Sequence, residues 1–127
     1  MTDNERVVLT VPSRGEYART VRITAAELAT RAGMNIDDVD DVKLAVEEAF
    51  VFASERKETG ELTFAFDLRS EAIELEVGPL PAACDDDDDP GAGERYARFI
   101  LESVCDEFEL LDRDGECYLR LVKRTAG

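Results

Sequence analysis

Residues 6–11, RVVLTV, are β-branched and apolar and read as a first strand. PSRGE follows, with Ser13 and Glu16 at the S-x-x-E spacing of a capping box. The pattern predicts a helix from there to about Ala32, stopped by Gly33, with Tyr17, Val21, Ala25, Leu28 and Ala32 on its apolar stripe. Asn35 is placed to cap a second helix, and Asp37, Asp38, Asp40 and Asp41 crowd its positive end. Val39, Val42, Ala45, Val46, Ala49, Phe50 and Ala53 form the core stripe of that helix, which ends near Arg56, Lys57 and Gly60. Leu44 and Val51 fall on the far side, so this helix is expected to pack between others. ELTFAFDLR and AIELEV alternate apolar and polar residues on either side of a short turn, the mark of a half-buried antiparallel hairpin. Residues 79–93, PLPAACDDDDDPGAG, break every period and predict a long mobile acidic loop. A third helix is expected over roughly 94–105, with Tyr96, Ala97, Ile100, Leu101 and Val104 on its stripe. Two last strands near 107–111 and 117–123 flank the turn signal DRDG. The order β-α-α-β-β-loop-α-β-β predicts an α+β two-layer sandwich, a mostly antiparallel sheet with helices on one face.

Composition narrows what such a sandwich does. A chain of 127 residues is most simply a single domain, 1–127, with one core. Thirty acidic against fifteen basic residues give a net charge of −15. Phosphate backbones and anionic membranes would be repelled, so neither nucleic acid nor membrane is an expected partner. With no histidine, imidazole acid–base chemistry and histidine metal ligation have no candidate. Cys84, Cys105 and Cys117 are odd in number and lack C-x-x-C spacing, so reduced thiols are expected. MTDNERVVLT shows no basic segment followed by an apolar one, and no apolar run approaches the ~18 residues of a membrane span. A cytoplasmic location is the expectation.

Glu48 and Phe52 lie together on one flank of the second helix, as i and i+4 neighbours. VPSRGEYARTVRITAAELATRAGMNIDDVDDVKLAVEEAFVFA, together with ILESVCDEFEL near the end, resembles the anti-sigma-factor serine-protein kinases. These belong to the wider histidine-kinase-like ATPase superfamily of gyrase, the histidine kinases and the MutL proteins. The resemblance implies that fold, and an E-x-x-x-N motif on the second helix. In that motif the glutamate polarises the attacking hydroxyl or water, and the asparagine carbonyl holds the magnesium that bridges the ATP phosphates. Glu48 matches the glutamate, but Phe52 stands at the asparagine position and offers no oxygen to a cation that requires hard ligands. In this reading Glu48 is a vestigial catalytic residue and Phe52 is core filling. The adenine-binding D-x-G-x-G segment reads ELEVGPLPAA, with Gly78 surviving and Glu76 or Val77 at the aspartate position, depending on register. Arg95 and Ala97 fall where the family's second glycine box belongs, and Gly91 and Gly93 are out of step with it.

Three altered parts of one pocket predict a site without nucleotide, so no cofactor and no metal are expected. The run of five aspartates at 85–89 lacks the alternating ligands of a calcium loop and reads as solvated charge. The resemblance further implies capture of a sigma factor, control by an anti-anti-sigma antagonist, and a homodimer. It places partner contacts at Arg14, Tyr17, Arg19 and Arg22. The alternative it carries is a working serine-protein kinase that uses ATP and Mg2+ to phosphorylate the antagonist.

Overall fold

The computed structural model describes residues 5–81 and 92–125. Five strands form one sheet in the order β1-β2-β3-β5-β4: β1 (Glu5–Pro12), β2 (Glu61–Arg69), β3 (Ala72–Leu80), β4 (Glu107–Arg113) and β5 (Glu116–Arg124). Every neighbouring pair is antiparallel. The expected α+β sandwich is present, and its sheet is antiparallel throughout. Alternation decides which side of each strand is buried. Leu62, Phe64, Phe66 and Leu68 of β2, Ile73, Leu75 and Val77 of β3, and Cys117, Leu119 and Leu121 of β5 all enter one core. Tight turns set the register: Asp114 and Gly115 both take positive φ, 55° and 82°, as a two-residue hairpin loop requires.

Three helices cover that face: α1 (Ala18–Arg31), α2 (Ile36–Arg56) and α3 (Ala92–Val104). The Asn35 side chain accepts the Asp38 N–H at 2.8 Å and starts α2, as expected. Gly33 ends the preceding helix at φ 86°. Phe50 stacks on Phe64, with ring centroids 6.0 Å apart and planes within 2°, locking α2 to β2. Lys123 of β5 donates to Asp41 of α2 at 3.0 Å and to the Val104 carbonyl at the end of α3 at 3.2 Å, so one ammonium joins two helices to the sheet.

Several expectations need correction. Ser13 does not cap a helix: its hydroxyl donates to the Lys57 carbonyl, and Glu16 pairs with Arg14 instead. A short 3-10 turn, Gly15–Tyr17, therefore precedes α1. The 79–93 loop is shorter at both ends, because β3 runs to Leu80 and α3 begins at Ala92. Its centre, including the aspartate run, lies outside the described residues. Tyr96 leaves the α3 stripe and is 63% exposed, whereas Ala97 and Leu101 are fully buried. Cys105 is a free thiol that burial pushes up to about 12, but Cys117 is disulfide-bonded, against the expectation of reduced thiols. No helix among the described residues is long and apolar enough to cross a membrane.

The second face of the sheet carries ion pairs. Arg6 meets Asp67 at 2.8 Å, Arg69 meets Glu74 at 3.1 Å, and Arg113 meets Glu76 at 3.1 Å. Arg120 reaches Glu74 at 2.7 Å, Glu107 at 3.1 Å and Glu109 at 2.7 Å, and Arg124 also holds Glu107. Most of these pairs join neighbouring strands, where antiparallel register sets the side chains side by side, whereas Arg113 of β4 reaches across β5 to Glu76 of β3.

Candidate functional site

Helix α2 presents Glu48 and Phe52 one turn apart, between α1 on one side and α3 on the other. The Phe52 ring is 0% exposed. Arg56, one further turn along, lays its guanidinium over that ring at 4.8 Å from the centroid, and its Nη1 lies 3.9 Å from the Cys117 Sγ of β5. The position one turn after the glutamate is thus filled with hydrocarbon and roofed by a cation. Glu48 is half-buried, and among the described residues its carboxylate makes no hydrogen bond or ion pair. Burial, followed by the neighbouring Glu47 carboxylate, raises its pKa above the usual carboxylate range. Glu47 itself is tied to Arg22 of α1 at 2.7 Å.

Near the end of β3, Val77 and Glu76 turn to opposite faces of the sheet. Val77 is fully buried and faces the helices. Glu76 faces the other way, held in a two-pronged bond by Arg113, whose guanidinium lies 4.9 Å over the Tyr118 ring. Gly78 has a packing reason to be glycine. A Cβ there would stand 2.6 Å from Tyr118 Cδ2 and 3.0 Å from the Cys117 carbonyl oxygen, at a φ of +156°. On α3, Arg95 is exposed and Ala97 is buried at 0%, both within the helix; Gly93 falls in its first turn, and Gly91 lies outside the described residues. No group of three or more acidic or cysteine side chains among the described residues is arranged to hold a metal ion.

The proposed partner contacts split into two groups. Arg14 pairs with Glu16 at 3.3 Å and covers Tyr17 at 5.5 Å, and Arg22 is engaged by Glu47. Arg19, exposed at the start of α1, makes no ion pair or hydrogen bond among the described residues. An unpaired guanidinium is notable on a chain with two acids for every base. Arg56 and Arg113 were not anticipated from sequence. The i+4 spacing of Phe52 and Arg56 was the available signal for the first. The second depends on β4 pairing with β5 and lying across from β3.

Residues 11–116, from β1 to the first residue of β5, match the histidine kinase-like ATPase domain. The chain is 33% identical to the serine-protein kinase RsbW of Bacillus cereus, over 58% of its own length and 48% of that protein, and equally so to the RsbW of Bacillus mycoides. It spans about half the length of the curated relatives it matches. Its fold superposes with a TM-score of 0.69 on the crystal structure of the RsbU and RsbW domains of a Mycobacterium tuberculosis protein. That superposition covers 94% of this chain and 32% of the other at 17% identity. A helix layer bearing the glutamate of α2, set on one face of this antiparallel sheet and matched along most of its length, makes the chain a member of the histidine kinase-like ATPase domain family.

Proposed function

We propose that this protein is an anti-sigma regulatory factor that acts in the cytoplasm by stoichiometric capture of a sigma factor, is itself controlled by an anti-anti-sigma antagonist, and does not bind ATP. The observation that carries the reading is Phe52, fully enclosed beneath Arg56 at the position where the resemblance implies the magnesium-binding asparagine. The donor set does not fit the cation: Glu48 is left as one carboxylate of raised pKa, with no oxygen from the next turn. Val77, Glu76 and Ala97 support the same conclusion, since an apolar side chain, an outward-facing carboxylate and a buried methyl occupy the remaining nucleotide-binding positions. The strongly acidic chain suits a partner whose DNA-facing surfaces are basic. Arg19 supports a specific contact on α1, because it is free to meet a carboxylate of either partner.

The second reading is an ATP-dependent serine-protein kinase acting on the antagonist, and the persistence of Glu48 favours it. One experiment separates the two. The purified chain is mixed with a sigma factor from its own genome in EDTA, without nucleotide, and the complex is resolved by size exclusion. The proposal expects a stable complex that Arg19→Glu weakens. A complex that forms only with Mg-ATP, or transfer of phosphate from ATP to a serine of the antagonist, would overturn it.

A further inference from the structure

The cysteines of this chain are of two kinds. Cys105 is a free thiol, whereas Cys117 is disulfide-bonded. Cys84 is the one other cysteine in the sequence, so the count makes it the partner of Cys117. Cys84 lies outside the described residues, but the sequence around it fixes its reach. Cys117 of β5 pairs with Leu80 at the end of β3, and Cys84 follows Leu80 by four residues. Four residues span at most ~14 Å, and a disulfide needs its two Cα atoms ~4.4–6.8 Å apart. Strand pairing therefore keeps the two cysteines within bonding reach in the reduced chain as well, at an effective concentration on the order of mM.

Their surroundings favour a bond that opens again. Arg56 points its Nη1 at the Cys117 Sγ from 3.9 Å, while its guanidinium covers the Phe52 ring. A guanidinium beside a sulfur stabilises the thiolate, and a stabilised thiolate leaves a disulfide readily. Five aspartates, 85–89, begin at the residue after Cys84, and closing the bond draws them toward a chain of net charge −15. Both effects work for the reduced form. Cys105 is the contrast: burial pushes its thiol up to about 12, with Lys123 opposing, so it stays protonated and out of exchange.

We infer that Cys84 and Cys117 form a reversible thiol–disulfide exchange site, whose co-reactants are a low-molecular-weight thiol and its disulfide. Opening begins at the Cys84 sulfur, because Cys117 is 1% exposed and shielded from attack. An external thiolate bonds to that sulfur, and the electron pair of the broken S–S bond leaves on Cys117 as a thiolate beside Arg56. A second external thiolate then attacks the external sulfur of the mixed disulfide, freeing Cys84 and releasing the external disulfide. In sum, two external thiols give up two electrons and two protons, which the two protein sulfurs take up; closing is the reverse. Neither sigma-factor capture nor the state of the nucleotide site enters this inference, so its failure would leave both readings standing.

Equilibration of the full chain in glutathione buffers tests it, followed by an acid quench, maleimide labelling in denaturant and intact mass. One label, on Cys105, is expected in oxidised glutathione, and three in reduced glutathione at about 5 mM. Peptide mapping should place the bond between Cys84 and Cys117. The oxidised form should melt about 10 °C above the reduced one, and Cys84→Ser should abolish that difference. Arg56→Met keeps the bulk over Phe52 and removes the charge; it should slow opening about tenfold, while Arg56→Lys stays close to the parent. Circular dichroism confirms that each variant folds. Three labels in every buffer, a bond that includes Cys105, a bond that reduced glutathione never opens, or equal opening rates in Arg56→Met and the parent would overturn the inference.

Discussion

At the scale of single residues, the ring of Phe52 and the carboxylate of Glu48 are neighbours with opposite requirements. The ring is enclosed on all sides, whereas the carboxylate is held where its charged form is disfavoured. Phe52→Asn would restore an oxygen at the position of the implied metal ligand, but it would bury an amide in a space shaped by a ring. Urea unfolding is expected to show a loss of about 4 kcal/mol, in the range of large-to-small core changes plus an unsatisfied polar group. No Mg-ATP affinity should be gained, since Val77 and Ala97 remain apolar. A variant as stable as the parent that binds nucleotide would show that the ring is not a structural plug. Gly78→Ala tests the packing explanation of the surviving glycine. A loss of about 2 to 3 kcal/mol is expected, with part recovered by adding Tyr118→Ala, because that ring is the nearest obstacle. If the second change restores nothing, backbone conformation alone sets the cost. The Phe52 substitution was legible in sequence because Glu48 fixes its register within one helix. The outward turn of Glu76 follows from the alternation of AIELEV, but its partner was not legible, since Arg113 lies 37 residues away and meets it only through the pairing of other strands.

Among the elements, strands were read most faithfully, because alternation records which face is buried. The Asn35 cap was legible for a similar reason, as donor and acceptor lie three residues apart. The Ser13–Glu16 box failed because a long-range acceptor, the carbonyl of Lys57, took the serine hydroxyl. β3 outran its predicted end because Gly78 and Pro79 looked like loop residues, although the strand carries on to Leu80. Pairing between elements also predicts a pH dependence. The hydrogen bond from Arg6 on β1 holds Asp67 of β2 below the usual 3.8, with burial opposing it and the charge of Arg6 assisting. A carboxylate with a depressed folded pKa contributes stability that is present above 3.8 and lost as pH falls through the folded value. Thermal midpoints recorded from about pH 5 down to about pH 2 should therefore fall less steeply in Asp67→Asn than in the parent. Parallel curves would mean that the pair does not couple to folding.

For the whole molecule, the sandwich was legible from the order of its elements, and the distribution of charge was not. A count of thirty acids and fifteen bases does not reveal that ten of these side chains neutralise one another on a single sheet face. Only the strand order β1-β2-β3-β5-β4 brings residues from all five strands into that network. The same global view bears on the proposed function: the chain belongs to the histidine kinase-like ATPase domain family, and our proposal is that the positions the resemblance implies for nucleotide on α2, β3 and α3 no longer bind it. Isothermal titration of Mg-ATP into the purified chain tests this most directly. No saturable heat is expected up to about 1 mM nucleotide. Saturable binding in the micromolar range, abolished by Glu48→Ala, would contradict it.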